Sequence, residues 1–376
     1  MNQAKRSLAF LLTVYRILPC LCGKNYEKIA SFTPEKVVCI CFFSFFACCG
    51  RVEKSAASPQ RKQQRNFDMQ PLTLKIDEST AGRAVKSLLR HELAASNAHI
   101  SRLKRRENGI LLNGKPCYVT ARVQAGDELQ MEIGDEPDGH IVPMSFPLDV
   151  RFEDEYLLII DKAAGIAVHQ STRNPEELTL ENAVCAYLGG SISPHPVSRL
   201  DRGTSGLILF AKSGYLHERL RRMQHTGAYL RTYQGIAVGK VEPPSGKIER
   251  PIGLAEGSTY RRAVTEGGAP ALTEYRTLAG SERLTLLELL PRTGKTHQLR
   301  VHMASVGYPL AGDWLYGERN DALIARPALH SCSLELTHPI TGERIALVSD
   351  LPEDMRALTQ DMILMEEDQQ DGNESD

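Results

Sequence analysis

The chain has 376 residues, of which 42% are hydrophobic and 24% charged, and its formal net charge is −1. These values are ordinary for a soluble globular protein long enough for two domains, and they exclude polyanion binding through overall charge alone. The charge is unevenly spread, however. Residues 83–106 carry seven Lys or Arg against a single acid, Glu92, whereas residues 366–376 carry six acids and no base.

The first 68 residues differ from the rest of the chain. Six of the nine cysteines lie within residues 1–49, but their CxC and CC spacings lack the paired CxxC pattern of zinc sites. The apolar run at 37–49 is too short for a comfortable membrane span, and residues 51–66 are polar without periodicity. We therefore predict a poorly ordered extension over 1–68, although a targeting segment stays open. The three scattered cysteines of the body indicate a cytosolic protein.

Residues 69–134 form the first predicted domain. The spacing of apolar residues predicts a helix over 80–93 and a second, shorter helix over 98–106. Short strands follow, with tight turns at Asn113-Gly114 and Gly126-Asp127. The basic residues lie off the apolar stripe. They are either a solvated face or a surface that follows a phosphate backbone.

This segment resembles the αL-type RNA-binding module named after a small-subunit ribosomal protein. The resemblance rests on the basic helix pair, on ILLNGK at 110–115 and on VQAGDEL at 123–129. It implies that structured RNA is the binding partner. The implied contacts are Arg83, Lys86, Arg102, Lys104 and Arg105.

Residues 134–143 read as a linker to a larger domain over 146–360, and residues 361–376 as an acidic tail. Strands are predicted at 157–162, 206–212, 229–238, 272–278 and 284–290, and helices at 213–226 and 294–307. Runs of strands with few helices between them indicate an α+β fold with a mixed, mainly antiparallel sheet. Because neither a Walker A loop nor a GxGxxG motif is present, no nucleotide cofactor is expected.

One charged cluster stands out within this domain. Asp201 lies between Arg199 and Arg202, directly before the apolar run of a predicted strand. A surface ion pair is one interpretation, and a carboxylate held rigidly for chemistry is the other. Further along, His297 and Arg300 are three residues apart on a predicted helix that begins near Gly294, and such a helix start suits an anion. For His297 alone, a structural histidine is the preferred interpretation.

The larger domain resembles the RluA-type pseudouridine synthases. Four stretches carry the resemblance, in the order of that family: LLIIDKAAGIAVHQ, VSRLDRGTSGLILFAK, RTYQGIAVGK, and PRTGKTHQLRVHMASVGYPLAGDWLYG with ALHSCSLELTHPITGE after it. The resemblance implies an isomerase that converts uridine in RNA to pseudouridine without a cofactor or metal. It implies a catalytic Asp201, an Arg199 that helps to expel the target base, a Tyr233 that stacks on the uracil, and an Arg300 that holds the aspartate. We add Arg202 and His297 as candidate substrate contacts.

Several alternatives stay open at this point. The carboxylate could attack the sugar, attack the ring, or remove the 2′ proton of the ribose. The RNA could be ribosomal RNA, which we favour, or tRNA, and we expect a cytoplasmic monomer. The rival functions are a non-catalytic RNA-binding or ribosome-assembly protein and a hydrolase that pairs Asp161 with Asp201. Ser198 and Ala163-Ala164 depart from the pattern of the family without touching its functional positions.

Overall fold

The computed structural model describes residues 69–135, 141–170, 174, 176–190, 192–224, 226–318, 323–360 and 362. The predicted extension over 1–68, with its six cysteines, lies outside these residues. So does nearly all of the acidic tail.

The N-terminal part is a small antiparallel sheet with two short helices. Its elements are β1 (Leu72–Lys75), α1 (Val85–His91), α2 (Asn97–Leu103), β2 (Ile110–Leu112), β3 (Lys115–Pro116) and β4 (Glu128–Met131). The strand order is β1-β4-β2-β3. The hairpin between β2 and β3 turns at Asn113 and Gly114, whose φ angles of 53° and 74° are both positive, as the Asn-Gly pair predicts. The first helix is shorter than predicted, and β1 was not predicted.

The larger part is built on one long sheet. Its first elements are β5 (Asp149–Glu153), β6 (Leu157–Lys162), α3 (Leu180–Tyr187), β7 (His195–Pro196), β8 (Ser205–Ala211), α4 (Gly214–Met223) and β9 (Tyr229–Val238). They are followed by β10 (Ser245–Glu249), β11 (Ile252–Leu254), β12 (Arg262–Val264), β13 (Leu272–Gly280), β14 (Leu284–Pro291), α5 (Gln298–Ser305), β15 (Leu329–Thr337) and β16 (Arg344–Val348). Residues 353–360 form a last helix.

The long sheet has ten strands, in the order β10-β13-β14-β9-β15-β8-β6-β5, with β16 beside β15 and β7 beside β8. The pairing of β15 with β8 is parallel, and the remaining pairings in the described part of this sheet are antiparallel. β11 and β12 form a separate hairpin. The predicted α+β fold with a mainly antiparallel sheet is therefore confirmed.

The central strand β8 explains why its sequence is an uninterrupted apolar run. All seven of its residues are buried, because both faces of the sheet are covered. Successive side chains point to opposite faces, so Leu207 and Leu209 enter one core, whereas Ile208 and Phe210 enter the other. The second core also contains Leu299 and Met303 of α5, and this helix covers the face of the sheet on which the candidate site lies.

The first core continues into the N-terminal sheet, so the two parts pack together. Leu103 and Ile133 belong to the same buried cluster as Leu209 and Tyr215. The hydroxyl of Tyr215, on α4, donates to the carbonyl of Leu93 at 2.5 Å. Helix α4 is thus the surface against which the small sheet and its helices dock. Among the described residues, no helix is long and apolar enough to span a membrane.

Candidate active site

Asp201 lies in the loop between β7 and β8, and contacts of its two neighbours, Leu200 and Arg202, hold this loop in place. The N–H of Gly165 donates to the carbonyl of Arg202 at 2.8 Å, and Lys162 Nζ reaches the same carbonyl at 3.3 Å. On the other side, Leu200 is buried in the second core. The carboxylate itself remains partly accessible, with 24% of its side chain exposed. The loop therefore presents one carboxylate to solvent from a fixed backbone.

Arg300 connects Asp201 to a second, fully buried carboxylate. Its Nη1 donates to Asp201 Oδ2 at 3.0 Å, while Nε and Nη2 donate to the two oxygens of Asp313 at 2.7 and 2.8 Å. Burial opposes the charge of Arg300, but the hydrogen bonds and charges of Asp313 and Asp201 raise its pKa above the ordinary value. Arg300 is therefore a permanent cation that holds the carboxylate of Asp201 in one orientation.

The start of α5 differs from the prediction. The helix begins at Gln298, not near Gly294, so the predicted helix start is wrong, and His297 is the N-cap in a left-handed conformation with φ of 57°. The reason is local: the side-chain oxygen of Gln298 accepts from the N–H of Lys295 at 3.0 Å and from the hydroxyl of Thr293 at 2.7 Å. These bonds shape 293–297 as a loop, and the N–H of Lys295 is not open to an anion.

His297 lies between Asp201 and a tyrosine. Its Nδ1 is hydrogen-bonded to the hydroxyl of Tyr316 at 2.8 Å, and its Nε2 lies 3.9 Å from Asp201 Oδ1. Burial is the largest cause that lowers the pKa of His297, the charge of Arg300 adds to it, and Asp201 opposes it. The imidazole is therefore neutral near pH 7. It is hydrogen-bonded to Tyr316 and lies beside the carboxylate of Asp201.

Asp313 and Tyr316 are site residues that the sequence analysis missed. Tyr316 lies against the guanidinium of Arg300, whose central carbon is 5.1 Å from the centre of the ring. Both residues belong to the GDWLYG stretch quoted above, so the motif contained the signal, but its spacing alone did not show that these side chains face Arg300. They complete a cluster in which each charged group has a partner.

Tyr233 lies on β9. It is buried in the second core together with Leu200 and Leu299. Its hydroxyl accepts a hydrogen bond from Nη1 of Arg231 at 3.3 Å. The strand pairings bring the following residue, Gln234, level with His330, which in turn pairs with Ser205 at the start of β8. The phenol ring thus lies in the second core, which also receives Leu200 from the Asp201 loop.

The two arginines beside Asp201 in the sequence point elsewhere. Arg199 is exposed and donates to the hydroxyl of Thr296 at 2.9 Å, which places it at the rim of the site. Arg202 forms an ion pair with Glu177 at 2.5 Å. The arginine that binds Asp201 instead comes from α5, 99 residues further along the chain.

The predicted RNA contacts of the small module fall into two groups. Arg83 is ion-paired with Glu92 at 2.7 Å, and Arg102 lies 3.6 Å from Asp135. Lys86, Lys104 and Arg105 are exposed. The second group offers the more accessible cations, whereas the first group is partly neutralised within the protein.

Asp161, the carboxylate that a hydrolase would require, is occupied by other contacts. It accepts hydrogen bonds from Arg151 Nη1 at 3.2 Å and from the hydroxyl of Ser349. Its neighbour Lys162 reaches the Asp201 loop, and successive strand residues point to opposite faces. Asp161 therefore lies on the other face of the sheet from the loop, and the two carboxylates do not form a catalytic pair.

The arrangement suits chemistry at the carboxylate of Asp201, because both oxygens of the neighbouring Asp313 are bound to Arg300. Among the described residues, no group of three or more His, Cys, Asp or Glu side chains is placed to hold a metal ion. Asp201 combines a charge-assisted hydrogen bond with partial exposure, and this combination fits a nucleophile or a base.

Comparison with known proteins gives consistent matches. A family model described as RNA pseudouridylate synthase matches residues 156–305. An uncharacterised RNA pseudouridine synthase of Bacillus subtilis is 36% identical over 292 residues, which cover 76% of this chain and 96% of that protein. Ribosomal large subunit pseudouridine synthase D of Nitrosomonas europaea is 38% identical over 252 residues, 64% of this chain and 72% of that protein. A solved human structure, RNA pseudouridylate synthase domain containing 4, is 23% identical with a TM-score of 0.44 and covers 55% of this chain and 90% of that one.

Proposed function

The chain belongs to the RNA pseudouridylate synthase family of isomerases, and we propose that it converts uridine to pseudouridine in ribosomal RNA with Asp201 as its catalytic residue. The observation that carries the proposal is the chain of contacts from Asp201 through Arg300 to Asp313. A buried cation fixed by a second carboxylate holds the first carboxylate in one orientation.

The reaction balances without any added reagent. The bond between N1 of uracil and C1′ of ribose breaks, the uracil turns, and C5 bonds to the same C1′. The hydrogen on C5 leaves to solvent and N1 gains a proton, so the RNA keeps its mass. The carboxylate of Asp201 can act by attacking C1′, by attacking C6 of the ring, or by removing the 2′ proton of the ribose.

Tyr233 and Arg199 are proposed to hold the target nucleotide. Extruding a stacked base from RNA costs a few kcal/mol, and stacking on an aromatic ring returns about 1–3 kcal/mol per base. Tyr233 would supply such a ring from the core that it shares with Leu200 of the Asp201 loop, and Arg231 donates a hydrogen bond to its hydroxyl. The exposure of Arg199 at the rim supports the proposal that this side chain fills the position that the extruded base leaves.

Ribosomal RNA is the proposed substrate for two reasons. The relative from Nitrosomonas europaea carries a ribosomal large subunit name at 38% identity. In addition, the small module exposes Lys86, Lys104 and Arg105, which suit contacts with the phosphates of a structured RNA.

Pseudouridine mapping of total RNA tests this proposal. A strain that lacks the gene should lose pseudouridine at one or a few uridines of large-subunit ribosomal RNA. The gene for the wild-type chain should restore these positions, whereas the gene for the Asp201→Asn chain should not. Losses confined to tRNA would contradict the ribosomal substrate, and restoration by Asp201→Asn would contradict the catalytic role.

A further inference from the structure

Trp314 is the single tryptophan of the chain, and 57% of its surface is exposed. A large aromatic side chain is usually mostly buried, so this exposure calls for a reason. Trp314 directly follows Asp313, whose carboxylate binds Arg300. The exposed ring is therefore carried by the same turn that anchors the active site.

This turn is closely held, so the exposure of Trp314 is not the fraying of a loose loop. The N–H of Gly317 donates to the carbonyl of Asp313 at 2.8 Å, and the N–H of Leu315 donates to its carboxylate at 3.2 Å. The hydroxyl of Tyr316 is bonded to His297, which lies beside Asp201. The position of Trp314 is thus fixed relative to Asp201.

The surroundings of this turn are cationic. The guanidinium of Arg261 lies over the ring of Tyr316 at 5.9 Å, and the N–H of Arg262 donates to the hydroxyl of Tyr316 at 3.0 Å. The Nε of Arg262 is buried and has no hydrogen-bond partner within the described part of the chain. Neither arginine forms an ion pair with a carboxylate there, and the carboxylates of the site are already bound to Arg300.

An exposed aromatic ring near arginines that form no ion pair in the described residues is suited to bind a nucleotide, which offers a flat base and a negative phosphate. The Cα atoms of Trp314 and Tyr316 are at most about 7 Å apart, because a single residue separates them along the chain. One nucleotide is therefore long enough to reach both the indole and the arginines. Arginines rich in N–H donors are suited to phosphate oxygens, and aromatic rings accept any base.

We infer that Trp314 stacks on an unpaired base that flanks the target uridine, while Arg261 and Arg262 bind a phosphate of the same RNA strand. This inference rests on the proposed function, since it extends the Asp201 site along its RNA substrate. It assigns to Trp314 a role in substrate binding and none in the bond-breaking step.

Two substitutions separate stacking from simple apolar contact. Trp314→Leu keeps an apolar side chain but removes the ring, whereas Trp314→Phe keeps a ring. The substrate is an unmodified transcript of large-subunit ribosomal RNA, labelled with tritium at C5 of uracil. Trp314→Leu should lower kcat/KM roughly 5- to 100-fold through KM, with the single-turnover rate at saturating RNA little changed, and Trp314→Phe should recover most of the loss.

Fluorescence gives an independent measurement, because the tryptophan emission of the chain comes from this one residue. The full-length Asp201→Asn chain should bind the same transcript without turnover, and its emission should be quenched as the base stacks. Inorganic polyphosphate, which offers phosphates but no bases, should leave the emission nearly unchanged.

The outcomes are distinguishable. If the wild-type chain releases tritium while Trp314→Leu keeps the same kcat/KM and the transcript does not quench the emission, the inference is wrong and the proposed function stands. A loss through the single-turnover rate, or equal losses in Trp314→Leu and Trp314→Phe, would indicate that Trp314 only supports the turn. If the wild-type chain releases no tritium from this transcript, the proposed function fails and the inference fails with it.

Discussion

At the scale of single residues, the buried carboxylate of Asp313 supports the whole charged cluster. It is fully buried and binds two nitrogens of Arg300, whose third nitrogen binds Asp201. A buried ion that loses its partner is strongly destabilising, because the remaining charge is left without solvent or counterion. Asp313 therefore contributes to both the stability of the fold and the geometry of the site.

Asp313→Asn should lower the free energy of unfolding by about 3 kcal/mol and reduce the single-turnover rate. The control is Asp354→Asn, which removes a half-exposed carboxylate that binds Arg326 with the same two-point geometry. Because solvent screens that pair, its loss should cost less than about 1 kcal/mol. Urea unfolding and single-turnover assays provide the two measurements, and equal effects of the two substitutions would contradict this account of Asp313.

The sequence identified Asp201 and Arg300 through the motifs that contain them, but the alternative of a surface ion pair between Asp201 and a neighbouring arginine is not what the structure shows. Arg199 and Arg202 are its neighbours in the chain, and yet they bind Thr296 and Glu177. The direction of a side chain in a turn depends on the backbone and on distant elements, and residue spacing does not report either. Asp313 was missed for the same reason, since its partner is defined only after α5 has packed on the sheet.

At the scale of elements, we expect His217 on α4 to make the stability of the fold depend on pH. The ring of His217 stacks on His195 at a centroid distance of 5.7 Å. Burial, followed by the charges of His195 and Arg221, lowers the pKa of His217 to about 4. Other groups that face this pair are Asp135, which binds His195 at 2.6 Å, and Glu218, which acts weakly in the opposite direction. In the unfolded chain the pKa of a histidine is about 6.5.

Between pH 6.5 and pH 4 the unfolded chain therefore binds a proton at His217 that the folded chain does not bind, so stability falls as the pH falls through this range. We expect His217→Gln to reduce the loss of unfolding free energy between pH 7 and pH 5 by about 1 kcal/mol, since partial solvent contact screens the full effect. Urea unfolding at both pH values measures this difference. An unchanged loss in His217→Gln would show that this histidine does not limit stability in acid.

The basic helix α2 and the residues after it should affect RNA affinity and leave the chemistry unchanged. Replacing Arg102, Lys104 and Arg105 with Ala should raise the apparent Kd and lower the slope of log Kd against log salt by about 2, because phosphate contacts release counterions. The single-turnover rate at saturating RNA should change little. The control replaces Lys240, Arg276 and Arg344, three exposed cations already paired with carboxylates. If the saturated rate fell as much as the affinity, the module would be part of the catalytic machinery.

The elements that the sequence predicted best are those with strong local signals. β9 was predicted at its observed bounds, and β6 and β8 were evident as apolar runs. The short strands β5, β11, β12 and β16 were missed, because they depend on pairing with distant strands. Helix α3 was also missed, although Thr179 and Asn182 form a capping box that signals its start.

At the scale of the whole molecule, the sequence predicted two domains joined by a linker over 134–143. In the structure, the first acid of that segment, Asp135, accepts hydrogen bonds from the N–H of Gly214 and from His195. The small sheet shares a core with the larger one, and no pattern within either segment could indicate this contact. The small N-terminal sheet is therefore held against α4.

A chain shortened to begin at Met69 should keep full activity and stability. All the site residues and both main cores lie in the residues that follow, and Met69 itself packs against the first core. Tritium release and urea unfolding, compared with the full-length chain, measure the two properties. A large loss of turnover in a shortened chain that unfolds at the same urea concentration would show that residues 1–68 take part in function.

The central claim is that the carboxylate of Asp201 carries out the chemistry, and tritium release from RNA labelled at C5 of uracil tests it most directly. Asp201→Asn keeps the size of the side chain and removes its charge, so RNA binding should survive while the rate is almost entirely lost, even at saturating RNA. Asp161→Asn, in which the carboxylate bound by Arg151 is removed, should retain most of the activity. Substantial tritium release by Asp201→Asn, or its loss only in Asp161→Asn, would contradict the assignment of Asp201 as the catalytic residue.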